Sequence, residues 1–186
     1  MSLSRTSEQP SPTPPASAAL EETGSGEVPR SAGLGAWFLL AVGVVGLGVS
    51  VYLTTLHYAG VQPICTSGGF VNCQGVLKSQ YSFVPGTSVP VTVPGMIWFI
   101  ASGVLAAIAI RCARRGLPEP SWLRPAHVVW AVLGLASVLY FVWAELVQLH
   151  ELCEWCTSVH VLVFLSLLVT LARLQSGGAT AAPDSP

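Results

Sequence analysis

Two cysteines separated by two residues, Cys153 and Cys156, form the motif with the clearest chemical meaning in this chain. A long apolar segment follows them, so we expect the pair in the first turn of a helix. Free backbone N–H groups and the positive end of the helix dipole favour a thiolate there, and a disulfide can close across one turn. The pair is therefore predicted to be redox-active. A structural disulfide and half of a metal site are the alternatives.

A second pair, Cys65 and Cys73, has seven residues between its members, which is too wide for a zinc knuckle. Asn72 is a good N-cap for a short helix over residues 74–80, and this places Cys73 in the first turn. We interpret this pair as a shuttle, and a staple of the loop is the alternative. In the predicted relay, Cys65 meets a water-side partner and Cys73 bonds alternately to Cys65 and Cys153. Cys156 then faces a membrane-side electron acceptor.

The segments around these cysteines are apolar enough to cross a membrane. Hydrophobic residues make up 52% of the 186 residues and charged residues only 9%, whereas soluble domains carry roughly 25% charged residues. Four spans approach the ~20 residues that a crossing helix needs: about Gly35–Tyr58, Gly95–Ile110, His127–Leu149 and Cys153–Leu174. We predict an all-α membrane protein, a four-transmembrane-helix bundle with an outer loop and a short lid half-helix. The stretch at 89–93 is expected to be extended chain.

The arginines predict the orientation of the bundle. Four of them crowd the connection between spans two and three, whereas the other two connections together carry only Lys78. By the positive-inside rule both termini are cytoplasmic in the cell membrane, and both cysteine pairs face the extracytoplasmic side. Disulfides persist on that side. The fifth cysteine, Cys112, lies alone at the cytoplasmic end of span two and is interpreted as a small apolar filler.

The ends of the chain differ in composition from its centre. Residues 1–33 are rich in Pro, Ser, Thr, Ala and Glu and are predicted to form a disordered cytoplasmic tail. Residues 34–174 form the membrane domain, and residues 175–186 a second disordered tail. The net charge is -1 without a block of like charge, so nothing indicates a nucleic-acid-binding protein. Three glycines of span one are expected to permit close helix contact: Gly43, Gly46 and Gly48.

Several short motifs together resemble one known family. They are Val71-Asn72-Cys73 with Cys65 eight positions before and Ser79 six after, Pro94-Gly95-Met96-Ile97-Trp98, and Cys153-Glu154-Trp155-Cys156. The chain resembles a vitamin K epoxide reductase family protein of the bacterial, DsbB-like type over roughly residues 34–174. The resemblance implies a bundle around a quinone, with Cys153 and Cys156 as the active-site pair and Cys65 and Cys73 as the shuttle pair.

The resemblance also implies a function, that of a quinone-dependent membrane thiol oxidase. Such an enzyme reoxidises an extracytoplasmic thioredoxin-like (DsbA-like) partner, here expected in trans, and supports disulfide formation in exported proteins. The electron acceptor is a membrane quinone, with menaquinone expected. The animal enzymes have a tyrosine at the position of His160 and an asparagine near the start of span two, which is not found here. These differences favour plain quinone reduction over vitamin K quinone or epoxide reduction.

Other residues have a functional and a structural interpretation. His160 shares a helix face with Cys156 and could hydrogen-bond a quinone carbonyl or relay a proton, or bond a neighbouring backbone oxygen. Trp98 and Trp155 could wall the quinone ring or anchor the interface. Glu145 could move protons or be a solvated interfacial carboxylate, and Ser79 could bond a loop thiolate or the half-helix backbone. A non-catalytic tetraspan protein with structural disulfides, or a small transporter, are the rival classes.

Overall fold

Long apolar segments form helices because each backbone polar group then bonds within its own segment, as a lipid environment requires. The computed structural model describes residues 30–66 and 68–178, with side chains for 33–66 and 68–176. The helices are α1 (Arg30–Ala59), α2 (Cys73–Lys78), α3 (Thr92–Arg114), α4 (Leu123–Trp143) and α5 (Glu154–Gly178), and α4 continues as a π-helical segment, Ala144–Leu149. A 3-10 turn covers Gln80–Ser82.

Four of these segments are long and apolar enough to cross a membrane. They are Gly33–Ala59, Thr92–Arg114, Leu123–Leu149 and Glu154–Ser176. Large apolar side chains such as Val45, Ile100 and Phe164 remain about half exposed on their outer surfaces, which suits contact with lipid rather than water. The predicted four-helix membrane bundle is confirmed, and the protein is a multi-pass membrane protein.

The helix boundaries differ from the predicted ones in several places. Helix α3 begins at Thr92 and the preceding Val91 already has helical backbone angles, so the prediction of extended chain is wrong for Val91, Thr92 and Val93. The first turn tolerates Pro94, because the N–H groups there have no partner within the helix. Helix α1 already begins at Arg30 and α5 continues to Gly178, beyond the predicted domain boundaries. The remainder of both tails lies outside the described residues.

The closest helix pair in the bundle is α1 with α3, and glycines of α1 allow it. A Cβ atom on Gly43 would lie 3.2 Å from the backbone of Gly103, and one on Gly46 would overlap the ring of Phe99. That ring is 1% exposed. Gly48, in contrast, faces open space, so the predicted contact role is wrong for this glycine. It lies half a turn away from Gly46, on the outer side of the helix.

Substituting Gly46 by alanine is expected to destabilise the bundle by about 1–3 kcal/mol, because the new methyl group must displace the buried Phe99 ring. The matched control is Gly48→Ala in the same helix, which should change stability by less than about 0.5 kcal/mol. Thermal unfolding in detergent, followed by circular dichroism, compares the two. Equal melting temperatures for both variants would contradict this packing.

Polar contacts tie the remaining helices together. The indole N–H of Trp98 donates to the carbonyl of Trp130, and that of Trp130 donates to the carbonyl of Trp98, both at 3.1 Å. Glu119, in the connection between α3 and α4, accepts from Arg124 at 2.9 Å and from Arg173 of α5 at 2.6 Å. This ion-pair cluster lies at the end of the bundle opposite to the start of α5. The cysteine pairs therefore occupy the other end.

Candidate thiol redox site

Helix α2 is short, and its first residue, Cys73, carries one of the four sulfur atoms predicted to be redox-active. Asn72 caps it as predicted, because the side-chain oxygen accepts the N–H of Gly75 at 3.0 Å. Cys73 lies in the first turn and forms a disulfide with Cys65, with 6.4 Å between the Cα atoms. The predicted pairing of these two cysteines is confirmed. Ser79 ends the helix, and its hydroxyl donates to the carbonyl of Val76 at 2.7 Å, which is the backbone role.

The second pair lies where the last membrane helix begins. Cys153 and Cys156 are free thiols. The N–H of Cys156 donates to the sulfur of Cys153 at 3.3 Å, so this sulfur acts as the cap of α5. The pKa of the Cys153 thiol is lowered, chiefly because the Cys156 side chain hydrogen-bonds to it, and N–H groups of the first turn add to the effect. The start of α5 therefore stabilises the thiolate form of Cys153.

The two pairs meet in one cluster. Cys73, Val76 and Cys153 are all buried, and Cys153 has no exposed surface at all. The residues packed around them are Cys65, Leu149, Trp155 and Cys156. We call these seven residues the redox cluster. Four sulfur atoms from parts of the chain about eighty residues apart are thus collected at one end of the bundle, which is the arrangement that thiol–disulfide exchange needs.

Helix α2 is the predicted lid. Backbone hydrogen bonds hold the residues just before it against the segment that precedes α5. The N–H of Asn72 donates to the carbonyl of Leu152 at 3.0 Å, and the N–H of Leu152 donates to the carbonyl of Phe70 at 2.8 Å. The Asn72 side chain also donates to the carboxylate of Glu151 at 2.8 Å. These bonds join the residue before Cys73 to the residue before Cys153. They bring one cysteine of each pair together.

We call Cys153 and Cys156 the inner pair and Cys65 and Cys73 the outer pair. The two residues between the inner cysteines hold the stretch around Cys65 in place. We call residues 61–66 and 68–72 the Cys65 loop. The indole N–H of Trp155 donates to the carbonyl of Ile64 at 3.0 Å, and the carboxylate of Glu154 accepts the N–H of Thr66 at 3.1 Å. An open cavity of about 460 Å³ lies beside this loop and is lined by Ile64, Val71, Leu152, Glu154 and Trp155, among others. Cys65 therefore lies at the accessible edge of the cluster.

The burial of Glu145 decides between its two predicted roles. It was expected to be either a proton carrier or a solvated carboxylate, and the structure places it only 3% exposed. Its carboxyl group lies within side-chain hydrogen-bonding reach of the Cys156 thiol. The interpretation as a solvated interfacial carboxylate is therefore wrong. The π-helical segment and the covering lid cause the burial.

Trp98 and Trp155, two of the three predicted quinone contacts, belong to different packing clusters. His160 is partly buried one turn after Cys156, and Trp155 is part of the redox cluster, with its ring centroid 5.0 Å from that of Tyr52. Trp98 instead packs with Phe99 and Val163 between α3 and the other helices. His160 and Trp155 remain candidates near the thiols. The role of Trp98 as a quinone contact stays a prediction, and its hydrogen bond to Trp130 gives it a structural role.

Comparison with known sequences decides the family. The sequence model of the vitamin K epoxide reductase family matches residues 37–171, which is most of the chain and includes both cysteine pairs. The chain belongs to the vitamin K epoxide reductase family. With four membrane helices and a disulfide beside two free thiols, this family member is a membrane oxidoreductase. A search of curated proteins finds no match.

Proposed function

We propose that this family member is a thiol:quinone oxidoreductase that reoxidises a thioredoxin-like partner and so supports disulfide formation in exported proteins. The observation that carries the proposal is the redox cluster, in which Cys73 and Cys153 pack together. Cys65 lies at its accessible edge, and Cys156 lies on the first turn of a membrane helix. A chain of sulfur atoms thus leads from the loop surface into the bundle.

The partner would enter at Cys65. A partner thiolate attacks the sulfur of Cys65, the Cys65–Cys73 bond breaks, and Cys73 leaves as a thiolate. The partner's second thiol then displaces Cys65, so the partner leaves as a disulfide. Cys65 is suited to this step because it is less buried than Cys73, and the open cavity is lined by Ile64, the residue before it.

Electrons then pass inward by disulfide exchange. When Cys153 and Cys156 are disulfide-bonded, the Cys73 thiolate attacks Cys153 and releases Cys156 as a thiolate. Cys65 next attacks Cys73, which restores the Cys65–Cys73 disulfide and frees Cys153, and the Cys153 and Cys156 thiolates then take up one proton each from water. The products are an oxidised outer pair and a reduced inner pair. The structure has this same pattern, with a Cys65–Cys73 disulfide beside two free thiols.

The residues around Cys156 suit a lipid-soluble acceptor. Cys156 is only partly buried, and the following turns of α5 present Val161 and Phe164 about half exposed to the lipid side. The partly buried His160 ring adds one polar group that can hydrogen-bond a carbonyl oxygen. A membrane quinone such as menaquinone would accept two electrons and two protons there. Cys153 and Cys156 lose those electrons and protons and close their disulfide.

The direct test uses purified protein, a reduced thioredoxin-like protein and a soluble quinone, with quinone absorbance followed over time. Turnover that requires all three components supports the proposal. Turnover without the partner, or none at all, contradicts it. A non-catalytic protein with structural disulfides would also keep the Cys65–Cys73 bond in glutathione buffers, because structural disulfides have potentials below about -300 mV.

Vitamin K quinone or epoxide reduction is the second candidate, favoured by family membership. It would use the same sulfur atoms with a different final acceptor. Replacing the soluble quinone by vitamin K epoxide in the same assay separates the two candidates. We expect the soluble quinone to be reduced much faster than vitamin K epoxide, because this chain has His160 at the position where the animal members of the family have a tyrosine.

The proposed orientation places the redox cluster on the extracytoplasmic side and both termini in the cytoplasm. The arginine-rich connection between α3 and α4 motivates it. After mild reduction of intact cells, a membrane-impermeant maleimide is expected to label Cys65, whereas labelling of Cys112 should require permeabilised cells. The variant Cys65→Ala is the matched control for the outer label. The opposite labelling pattern would overturn the orientation.

A further inference from the structure

Glu145 is a buried carboxyl group in a helix that crosses the membrane. Its exposure is 3%, although it lies near the end of α4 where a glutamate could have pointed to water. Among the residues that the structure describes, the ion pairs of acidic side chains are those of Glu119, and none includes Glu145. Burying a carboxylate without a neighbouring cation is energetically unfavourable. An intramembrane ionisable residue of this kind is a candidate for function.

The local backbone explains why the side chain points inward. Residues 144–149 are π-helical, and π-helical turns change which side chains face a neighbour and recur at functional sites. The carbonyl of Glu145 accepts the N–H of His150 and, at 3.1 Å, the N–H of Glu151. His150 adopts a left-handed conformation with φ of 54°, which ends the segment. The chain then turns directly into Leu152 and Cys153.

The groups that face Glu145 are the two inner thiols. Cys156 lies within side-chain hydrogen-bonding reach of the carboxyl group, and Cys153 is the next ionisable neighbour. Helix α2 packs over the same π-helical segment, but it contributes Cys73 in a disulfide, which does not titrate. The carboxyl group is therefore enclosed with sulfur atoms that must lose a proton to react.

We propose that Glu145 is a catalytic residue that takes the thiol proton of Cys156 and passes it to the electron acceptor. The S–H bond of Cys156 breaks as its proton moves to the carboxylate, which leaves the thiolate that gives up electrons. The same proton then follows the electrons to an acceptor oxygen, and Glu145 returns to its carboxylate form. The second proton comes from Cys153, so two thiols supply both protons. The quinone is taken from the proposed function, whereas proton removal from Cys156 is independent of it.

The first test is Glu145→Gln, which keeps the size and the hydrogen-bonding capacity of the side chain but cannot take a proton. At neutral pH we expect kcat for quinone reduction to fall by about 100-fold, the typical contribution of a general base. The defect should shrink as pH rises, because hydroxide then removes the thiol proton. Glu145→Asp should retain part of the rate. A loss that is equal at all pH values, or no loss, would overturn the proposal.

A second measurement needs neither quinone nor partner. In a protein with Cys112→Ala and Cys153→Ala, Cys156 is the remaining thiol outside the Cys65–Cys73 disulfide. We expect Glu145→Gln to slow the alkylation of Cys156 by iodoacetamide at neutral pH at least several-fold. The control Glu119→Gln, which changes a carboxyl group at the opposite end of the bundle, should leave this rate unchanged. Equal rates for both variants would overturn the role of Glu145 even if quinone turnover is observed. Slowing without any quinone turnover would instead contradict the proposed function alone.

Discussion

Replacing Cys156 by alanine is expected to reduce partner-dependent quinone reduction by about a thousand-fold or more, as for the loss of a reacting nucleophile. Cys156 is the one cluster sulfur carried on the first turn of a membrane helix. Without it the disulfide between Cys153 and Cys156 cannot form, so the inner pair cannot give two electrons to the quinone. The measurement is the rate at which quinone absorbance changes at a saturating concentration of reduced partner, compared between the variant and the unmodified protein.

Cys112→Ala is the matched control for this substitution. Cys112 is also a partly buried free thiol, but it lies at the far end of α3 from the redox cluster. Its loss is expected to leave turnover within about two-fold of the unmodified protein, as for substitutions away from a site. If Cys156→Ala and Cys112→Ala retain similar turnover, the inner pair is not the route to the quinone.

Replacing Cys73 by alanine is expected to abolish partner-driven turnover to a similar extent, about a thousand-fold, but for a different reason. Cys73 is the sulfur that links Cys65 to Cys153, and both neighbours pack against it in the redox cluster. In its absence Cys65 remains a free thiol; when oxidised partner is added, Cys65 attacks the partner's disulfide and forms a mixed disulfide, and no Cys73 thiol is present to displace the partner from Cys65. Non-reducing gel electrophoresis detects this species.

A small dithiol separates the two variants. It should still drive quinone reduction in Cys73→Ala by reaching the partly buried Cys156 directly, whereas Cys156→Ala should fail with either reductant. Cys65→Ala in the Cys73→Ala background should remove the mixed disulfide. Accumulation of the mixed disulfide on a sulfur other than Cys65 would reverse the proposed order of the relay.

Local signals in the sequence predicted the elements of the site. Asn72 was predicted to be a helix cap because asparagine favours that position, and its side-chain oxygen does accept the N–H of Gly75, three residues further on. The Cys153–Cys156 motif at a helix start was equally local, and its sulfur does accept a hydrogen bond from the first turn. The four membrane spans followed from hydropathy alone, since lipid leaves the backbone few other solutions.

Contacts between distant segments could not be predicted in the same way. The bond from Thr66 to Glu154 joins residues 88 positions apart, and that from Asn72 to Glu151 joins residues 79 apart. Neither acidic residue is distinguished by its neighbours in the chain. The burial of Glu145 depends on a π-helical segment and on the lid packed over it, so a periodic pattern of α-helix could not reveal it.

The contacts of Glu154 and Trp155 link the chemistry of the inner pair to the surface. Both residues lie between Cys153 and Cys156, and they hold the backbone of Ile64 and Thr66 on either side of Cys65. A bond formed between Cys153 and Cys156 is expected to change the turn from which these two side chains project, and with it their hydrogen bonds to the loop. By thermodynamic reciprocity, a protein that binds this loop must shift the reduction potential of the inner disulfide by an equal free energy. The affinity of a partner for the Cys65 loop and the reduction potential of the inner disulfide would then depend on each other.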